Sequence, residues 1–228
     1  MEVDGTMLKQ LEARNSAAFH YLEFEDMVNI EKHLSCCVQY ENNYENSSSR
    51  YQNCLQNRLW KYILKDLNLE DKDISEMINE YEPAMYWLRH VKINLMEMLM
   101  IARKVGREDI AVIVQKWLEK GIYQRETHVK SLSKAHIQHL ATCLEIQSGR
   151  WKDWRIFADY SGCSGERIGQ IHSLAKNEMK VLVYMHDQHG DVDINFISDV
   201  GRKYNVRRQR MFEIEQTIRK IVYSYSVI

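Results

Sequence analysis

Turn punctuation is scarce in this chain, which has one proline and nine glycines among 228 residues. β-rich chains need more than that, so the scarcity argues for helices. Long apolar runs are missing as well. The longest, at 110–114 and 181–185, are far too short to span a bilayer. No apolar stretch of signal-peptide type follows Met1, so no secretory signal is read. The five cysteines are odd in number and irregularly spaced; no disulfide framework follows, and a reducing compartment, most simply the cytoplasm, is expected. Net charge is nearly absent: 31 Lys/Arg face 32 Asp/Glu, a balance of −1, and no global field attracts nucleic acid or membrane. Catalytic signatures are lacking too. There is no G-x-S-x-G, P-loop, H-E-x-x-H or kinase set, so a non-enzymatic chain without cofactor is expected.

What is present is a succession of short amphipathic segments. The apolar share of 45% suffices for a core, and the charged share of 28% is ordinary. Phe19, Leu22, Met27, Ile30 and Leu34 come close to helical spacing and predict a first helix. Residues 1–15 are polar and read as a flexible terminus. Residues 39–57, rich in Asn, Ser, Tyr and Gln, read as a long loop. Helices are then predicted near 59–64, 73–81, 84–91, 94–105 and 107–118. Asp71 or Asp73 suits an N-cap, Pro83 a first turn and Gly106 a helix stop. A further series is predicted at 127–144, 151–160, 165–174, 176–189, 194–204 and 207–223, with Ser164 as a cap and Gly162 and Gly190 as stops. The two halves differ in charge: residues 1–120 carry 15 Lys/Arg and 20 Asp/Glu, whereas residues 121–228 carry 16 and 12. Such asymmetry allows two partners, or attraction between copies.

Several patterns invite a sharper chemistry. His136, His139 and Cys143 share a helix face, and His186 and His189 form a second pair, yet structural zinc wants four ligands with closely spaced cysteine pairs; no metal is expected. Cys143 and Cys163 have histidines nearby in sequence, which does not make a dyad, and buried thiols are expected. Met96, Met98 and Met100 read as core and groove lining. Arg202, Lys203, Arg207, Arg208 and Arg210 form a basic cluster suited to a solvated face or an acidic partner. Arg107 and Asp109 can form a fixed ion pair at a helix start.

The run Arg107-Glu108-Asp109-Ile110, after the apolar helix at 95–101, resembles the closing Arg-x-Asp-Leu motif of death-effector domains. Trp151-Lys-Asp153-Trp154-Arg155-Ile-Phe157-Ala158 resembles the Asp-Trp-Arg-x-Leu-Ala signature of death domains. Cys163-Ser164 with Ile168 and Ile171, and 193–201, match that family's following helices. An effector-like domain followed by a death domain is similar to the layout of the Fas-associated death-domain adaptor family, insect members included. The resemblance departs in places: Asn57 and Gln56 stand where the effector family has an acidic residue, and Tyr184 or Met185 where death domains carry Trp.

The resemblance implies an all-α fold of two six-helix death-fold bundles in tandem, at 16–121 and 122–228. It implies a cytoplasmic signalling adaptor in apoptosis or innate immunity. Its second bundle would bind a death-domain receptor or upstream adaptor, and its first the death-effector prodomain of an initiator caspase. Homo-oligomers or filaments are possible partners; nucleic acid and membrane insertion are not expected. Expected contacts are Arg107, Asp109, Trp60 and Tyr62 on the first bundle. Those on the second are Asp153, Arg155, Asp159, Arg167, Arg202, Lys203, Arg207 and Arg208. Trp154, Phe157, Ile168 and Ile171 are expected in the core. The alternative is a helix-turn-helix DNA-binding regulator using residues 157–175, which Phe157-Ala158, Gly162 and the Ile168/Ile171 spacing also resemble.

Overall fold

The structure is a computed structural model and describes residues 17–36, 58–145 and 153–226. The terminus at 1–15, the loop at 39–57 and Trp151 lie outside these residues. Among the described residues the chain is all-helical, with no strand and twelve α-helices: α1 (Phe24–Leu34), α2 (Leu59–Asp66), α3 (Asp71–Glu80), α4 (Pro83–His90), α5 (Leu95–Lys104), α6 (Glu108–Glu119), α7 (Lys134–Glu145), α8 (Trp154–Tyr160), α9 (Gly165–His172), α10 (Asn177–Gln188), α11 (Phe196–Lys203) and α12 (Arg208–Ser226). No helix among them is long and apolar enough to cross a membrane.

Local chemistry sets most boundaries. Glu23 and Asp26 close a capping box at α1, and Asn94 and Glu97 another at α5; each satisfies two donors that a helix start leaves orphaned. Pro83 sits at the first position of α4, where its missing N–H and fixed φ suit the helix. Gly106 ends α5 at φ +71°, a left-handed conformation that side chains resist. Asp153 and Ser164 cap α8 and α9 through their side-chain oxygens. Two expected helices are shorter than predicted. Residues 129–131 form a separate 3-10 turn before α7. Residues 19–21 form another before α1, held by Phe19 and His20 N–H donating to the carbonyls of Val192 and Gly190.

The helices assemble into two compact units: residues 1–78 with 176–228, and residues 79–175. The first contains α1, α2, most of α3, and α10 to α12; the second contains α4 to α9. The expected tandem division at 121/122 is not the one observed. In the first unit α1 buries Met27, Ile30 and Leu34 and packs on α10 and α12, while α2 packs on α10 and α11. Leu34, Leu59, Ile63, Val181 and Leu182 are fully buried there, each contributing roughly 1.5–3 kcal/mol relative to exposure. Gly201 is buried where α11 meets α12; a Cβ there would lie 2.5 Å from Met211 Sδ. In the second unit α5 pairs with α6, and α4 lies against α7, α8 and α9. Periodicity specifies which face of each helix is apolar, not which partner covers it, and here the partners come from opposite ends of the chain.

Trp154, Phe157 and Ile171 are buried in the second unit, as expected, with Trp87 edge-on to Phe157 at 6.5 Å; Ile168 is only half-buried. Trp154→Ala should lower the stability of this unit by about 3–5 kcal/mol, read from denaturant melts. The chain division carries its own test. A fragment of residues 79–175 should melt cooperatively, whereas one of residues 122–228 should not, because it loses α4, α5 and α6 from one core and α1 and α2 from the other. Cooperative melting of 122–228 alone would restore the tandem division.

In the first unit His33 Nε2 lies 3.0 Å from Thr217 Oγ1, linking α1 to α12. Burial, then Lys32, lower its pKa from 6.5; Glu213 opposes and Arg210 assists. The unfolded chain therefore takes up this proton at a higher pH than the folded one. The stability involved is complete above about pH 6.5 and is lost as pH falls through the lower folded value. Urea midpoints should decline on acidification from pH 7 to about 5, and His33→Gln should flatten that decline. An unchanged slope in the variant would assign it elsewhere.

Candidate interaction surfaces

The C-terminal end of α7 gathers three helix starts around it in the second unit. Glu145, the last residue of α7, accepts the backbone N–H of Ala84 at the first turn of α4 (2.9 Å). Arg107, just before α6, donates to the Cys143 carbonyl (2.7 Å) and to both carboxylate oxygens of Asp109 (2.8 and 2.6 Å). Asp153 caps α8 by accepting the Arg155 backbone N–H (3.0 Å), and its carboxylate holds the Arg155 guanidinium, closest at 2.6 Å. A cation near the end of a helix meets the partial negative charge of its unsatisfied carbonyls, which suits Arg107 to this position.

The two forks have a shared construction with opposite signs. In one, the Arg107 side chain is 5% exposed and Asp109 52%; in the other, Asp153 is 11% exposed and Arg155 28%. One member is anchored inside while the other reaches water in a fixed orientation. Asp109 has its pKa lowered, chiefly by the hydrogen bond it accepts from Arg107, and Arg155 has its pKa raised, chiefly by the hydrogen bond it donates to Asp153. Both stay charged throughout the physiological range.

The remaining expected contacts divide. Arg107 and Trp60, expected on the surface, are buried at 4% exposure each: the guanidinium reaches inward to a helix end, and the indole belongs to the apolar stripe of α2. Tyr62 is half-buried with its ring 4.4 Å from Tyr204. Trp60 and Tyr62 belong to the first unit and Arg107 and Asp109 to the second. Asp153, too, is buried, as the cap of α8. Asp159 is exposed. Arg167 is exposed yet lies 5.8 Å over the Tyr86 ring and donates to Gln170.

The basic cluster is largely neutralised within the first unit. Arg202 pairs with Asp199 and Glu215 (3.1 and 2.8 Å), Lys203 with Asp66 (2.8 Å) and Arg210 with Glu213 (2.6 Å). Arg207 and Arg208 are exposed and form no ion pair among the described residues. Tyr204 also donates to Asp66 (2.7 Å), so the cluster partly serves to fasten α11 to the end of α2.

The histidine and thiol patterns resolve into packing contacts. Tyr123 Oη lies 2.7 Å from His136 Nδ1, and the His136 ring lies 4.5 Å from Trp117. His189 meets Tyr184, and His186 meets Asp187. No three His, Cys, Asp or Glu side chains converge as metal ligands among the described residues. Burial pushes the Cys36 thiol up to about 11 and raises Cys143 and Cys163 above their ordinary value, so little thiolate exists at neutral pH. Of the methionines, Met98 is buried, Met100 is 55% exposed, and Met96 lines a groove of about 470 Å³ between α5, α6 and residues 123–125. Arg103, Gln115 and Glu119 form a hydrogen-bonded rim along that groove.

The sequence did not point to Glu145 as the acceptor at the start of α4, nor to the Cys143 carbonyl as the partner of Arg107. Nothing in their neighbourhood signals them, because both act across helices. No protein-family model, no curated protein and no solved structure matches the chain.

Removing the buried half of a fork should destabilise more than removing the exposed half. Arg107→Ala should lower stability by about 2–3 kcal/mol, since it frees the α7 end and the α6 start together. Asp109→Ala should stay near or below about 1 kcal/mol, being half in water. Equal effects in thermal melts would refute the inside–outside assignment.

Proposed function

We propose that the chain is a non-catalytic adaptor that recognises other proteins through charged, oriented helix starts. The observation that carries this reading is the pair of arginine–aspartate forks, in which a buried partner fixes Asp109 and Arg155 at the surface. A charge held in one orientation has already lost the rotamer freedom that binding would take from it. Bidentate guanidinium–carboxylate geometry adds directional specificity, and opposite signs on two nearby helix starts suit a partner with the reverse arrangement.

The finer proposal rests on the motif resemblance. The partners on this reading are a death-domain receptor or upstream adaptor, and the death-effector prodomain of an initiator caspase. Gathering several zymogens on one scaffold raises their effective concentration without new chemistry. The interleaved helices alter how this is probed. Arg107 is inside, so Arg107→Glu is a folding variant and cannot report on docking. The DNA-binding alternative gains nothing from the structure, because the Arg167 side chain of the would-be recognition helix is occupied by Tyr86 and Gln170.

Co-precipitation of the full chain with an initiator-caspase prodomain, and separately with a death-domain receptor tail, tests the finer reading. Asp109→Lys or Arg155→Glu should lose at least one partner by about tenfold, roughly 1.4 kcal/mol, with unchanged helical circular dichroism. Capture of neither partner by the wild-type chain would end the caspase–receptor assignment. Capture indifferent to both substitutions would remove the forks from it.

A further inference from the structure

The last helix of the first unit turns an unusual face outward. Met211, Ile214, Ile218, Ile221 and Val222 of α12 are buried and form the stripe that packs on α1 and α11. On the opposite side Phe212 and Tyr223 are 61% and 73% exposed, the largest exposures of any aromatic side chains on this helix. Arg208, Gln216, Arg219 and Lys220 are exposed with them. No acidic side chain of α12 is exposed: Glu213 and Glu215 are half-buried, Glu213 held by Arg210 and Glu215 by Arg202 with Arg219 at 3.9 Å. The outward face is therefore cationic and aromatic in a chain whose overall charge is only −1.

We propose that this face of α12, centred on Phe212, Gln216, Arg219 and Tyr223, docks an acidic amphipathic α-helix of a partner protein. The inference is independent of the caspase and death-domain assignments. Three features select this occupant. The central positions recur at i, i+4, i+7 and i+11, the seam spacing at which one helix lies along another. Exposed Phe, Tyr and Arg are the types that carry interface energy. Four exposed cations of α12, Arg208, Arg210, Arg219 and Lys220, stand against two half-buried glutamates, and Arg219 lies 3.9 Å from the Glu215 that Arg202 also holds; the surplus beside the aromatics is positive, so a partner helix needs apolar residues for its seam and carboxylates beside it.

The other classes of ligand fit less well. Phe212 and Tyr223 stand about 16 Å apart along the helix axis at 1.5 Å per residue, too far for stacking neighbouring bases. A single convex helix offers no groove to follow a phosphate backbone, and Arg202, Lys203 and Arg210 are already paired. A helix lying in a membrane surface inserts its apolar stripe, and here that stripe is committed to the core.

The test uses the full-length protein and a fluorescein-labelled synthetic helix of about 18 residues, or 27 Å, with leucine at seam positions and glutamate beside them. Fluorescence anisotropy should show binding that weakens as salt rises. Phe212→Ala with Tyr223→Ala, and Arg219→Glu with Lys220→Glu, should each weaken it about tenfold or more. These side chains lie in water, and circular dichroism should confirm intact folding. A control peptide with lysine in place of glutamate should bind at least tenfold more weakly. The proposal is overturned by absent binding, by equal binding of the lysine peptide, or by variants that bind as wild type. Tighter binding of a single-stranded oligonucleotide or of phosphatidylserine vesicles through these same residues overturns it as well.

Discussion

The second unit depends on the end of α7. There a carboxylate and a carbonyl tie down the starts of α4 and α6, and α8, capped by its own aspartate, packs on the same helix. Helix ends are where backbone groups lack intrahelical partners, and burying them unsatisfied would destabilise the fold by a few kcal/mol per group. Here side chains satisfy them: Glu145 accepts the Ala84 N–H and Arg107 donates to the Cys143 carbonyl across helices, while Asp153 accepts the Arg155 N–H within α8. Two orienting forces act together. The carbonyl end of α7 attracts the guanidinium, and the N–H ends of α4 and α8 attract carboxylates. Apolar packing alone would let these short helices slide; directional hydrogen bonds at their ends fix where each begins.

Features written into adjacent residues were legible in the sequence. Pro83, Gly106 and Ser164 each declare a boundary through chemistry confined to one turn, and the structure places a helix start or stop at each. Helix class and approximate extent followed from apolar spacing. Assembly did not. The stripe Met27–Ile30–Leu34 is equally compatible with any apolar neighbour, and the chain meets it with α10 and α12 rather than with the helices next in sequence. The units also differ from the expected tandem bundles in what they contain: among the described residues one holds α1 to α3 with α10 to α12, and the other α4 to α9, which lie between them in sequence.

The same limit governs the candidate surfaces. Arg107 and Asp109 were legible as a pair because they stand two residues apart at a helix start. Which of them faces water was not, since the inward pull on Arg107 comes from Cys143, 36 residues away. Trp60 was expected at the surface only because the death-effector resemblance places an exposed apolar patch on that helix; the burial of Leu59, Trp60, Ile63 and Leu64 shows α2 turned through its apolar stripe. The basic run at 202–210 read as a free patch because its neutralising carboxylates, Asp66 and Glu215 among them, lie elsewhere along the chain. Local pairing motifs survive folding, whereas the sign and exposure of a surface are set by partners distant in sequence.

That distinction separates charges that hold the fold from charges available for recognition. Exposed ion pairs contribute little stability, about 0–1 kcal/mol each, but they cancel the field a partner would feel. Lys203 against Asp66 and Arg202 against Glu215 fasten α11 to its neighbours and in doing so fall silent as long-range attractants. The forks behave otherwise: a buried counter-charge removes freedom from Asp109 and Arg155 while leaving one face of each toward water. On α12 the half-buried glutamates are shared among Arg202, Arg210 and, at 3.9 Å, Arg219, so Arg208 and Lys220 keep most of their charge for the outside. A near-neutral chain can thus present strong local fields of both signs. What matters for its encounters is which charges the fold leaves in surplus or holds in a fixed direction: the outer face of α12 keeps more cations than carboxylates, and each fork is a neutral pair that presents an oriented dipole.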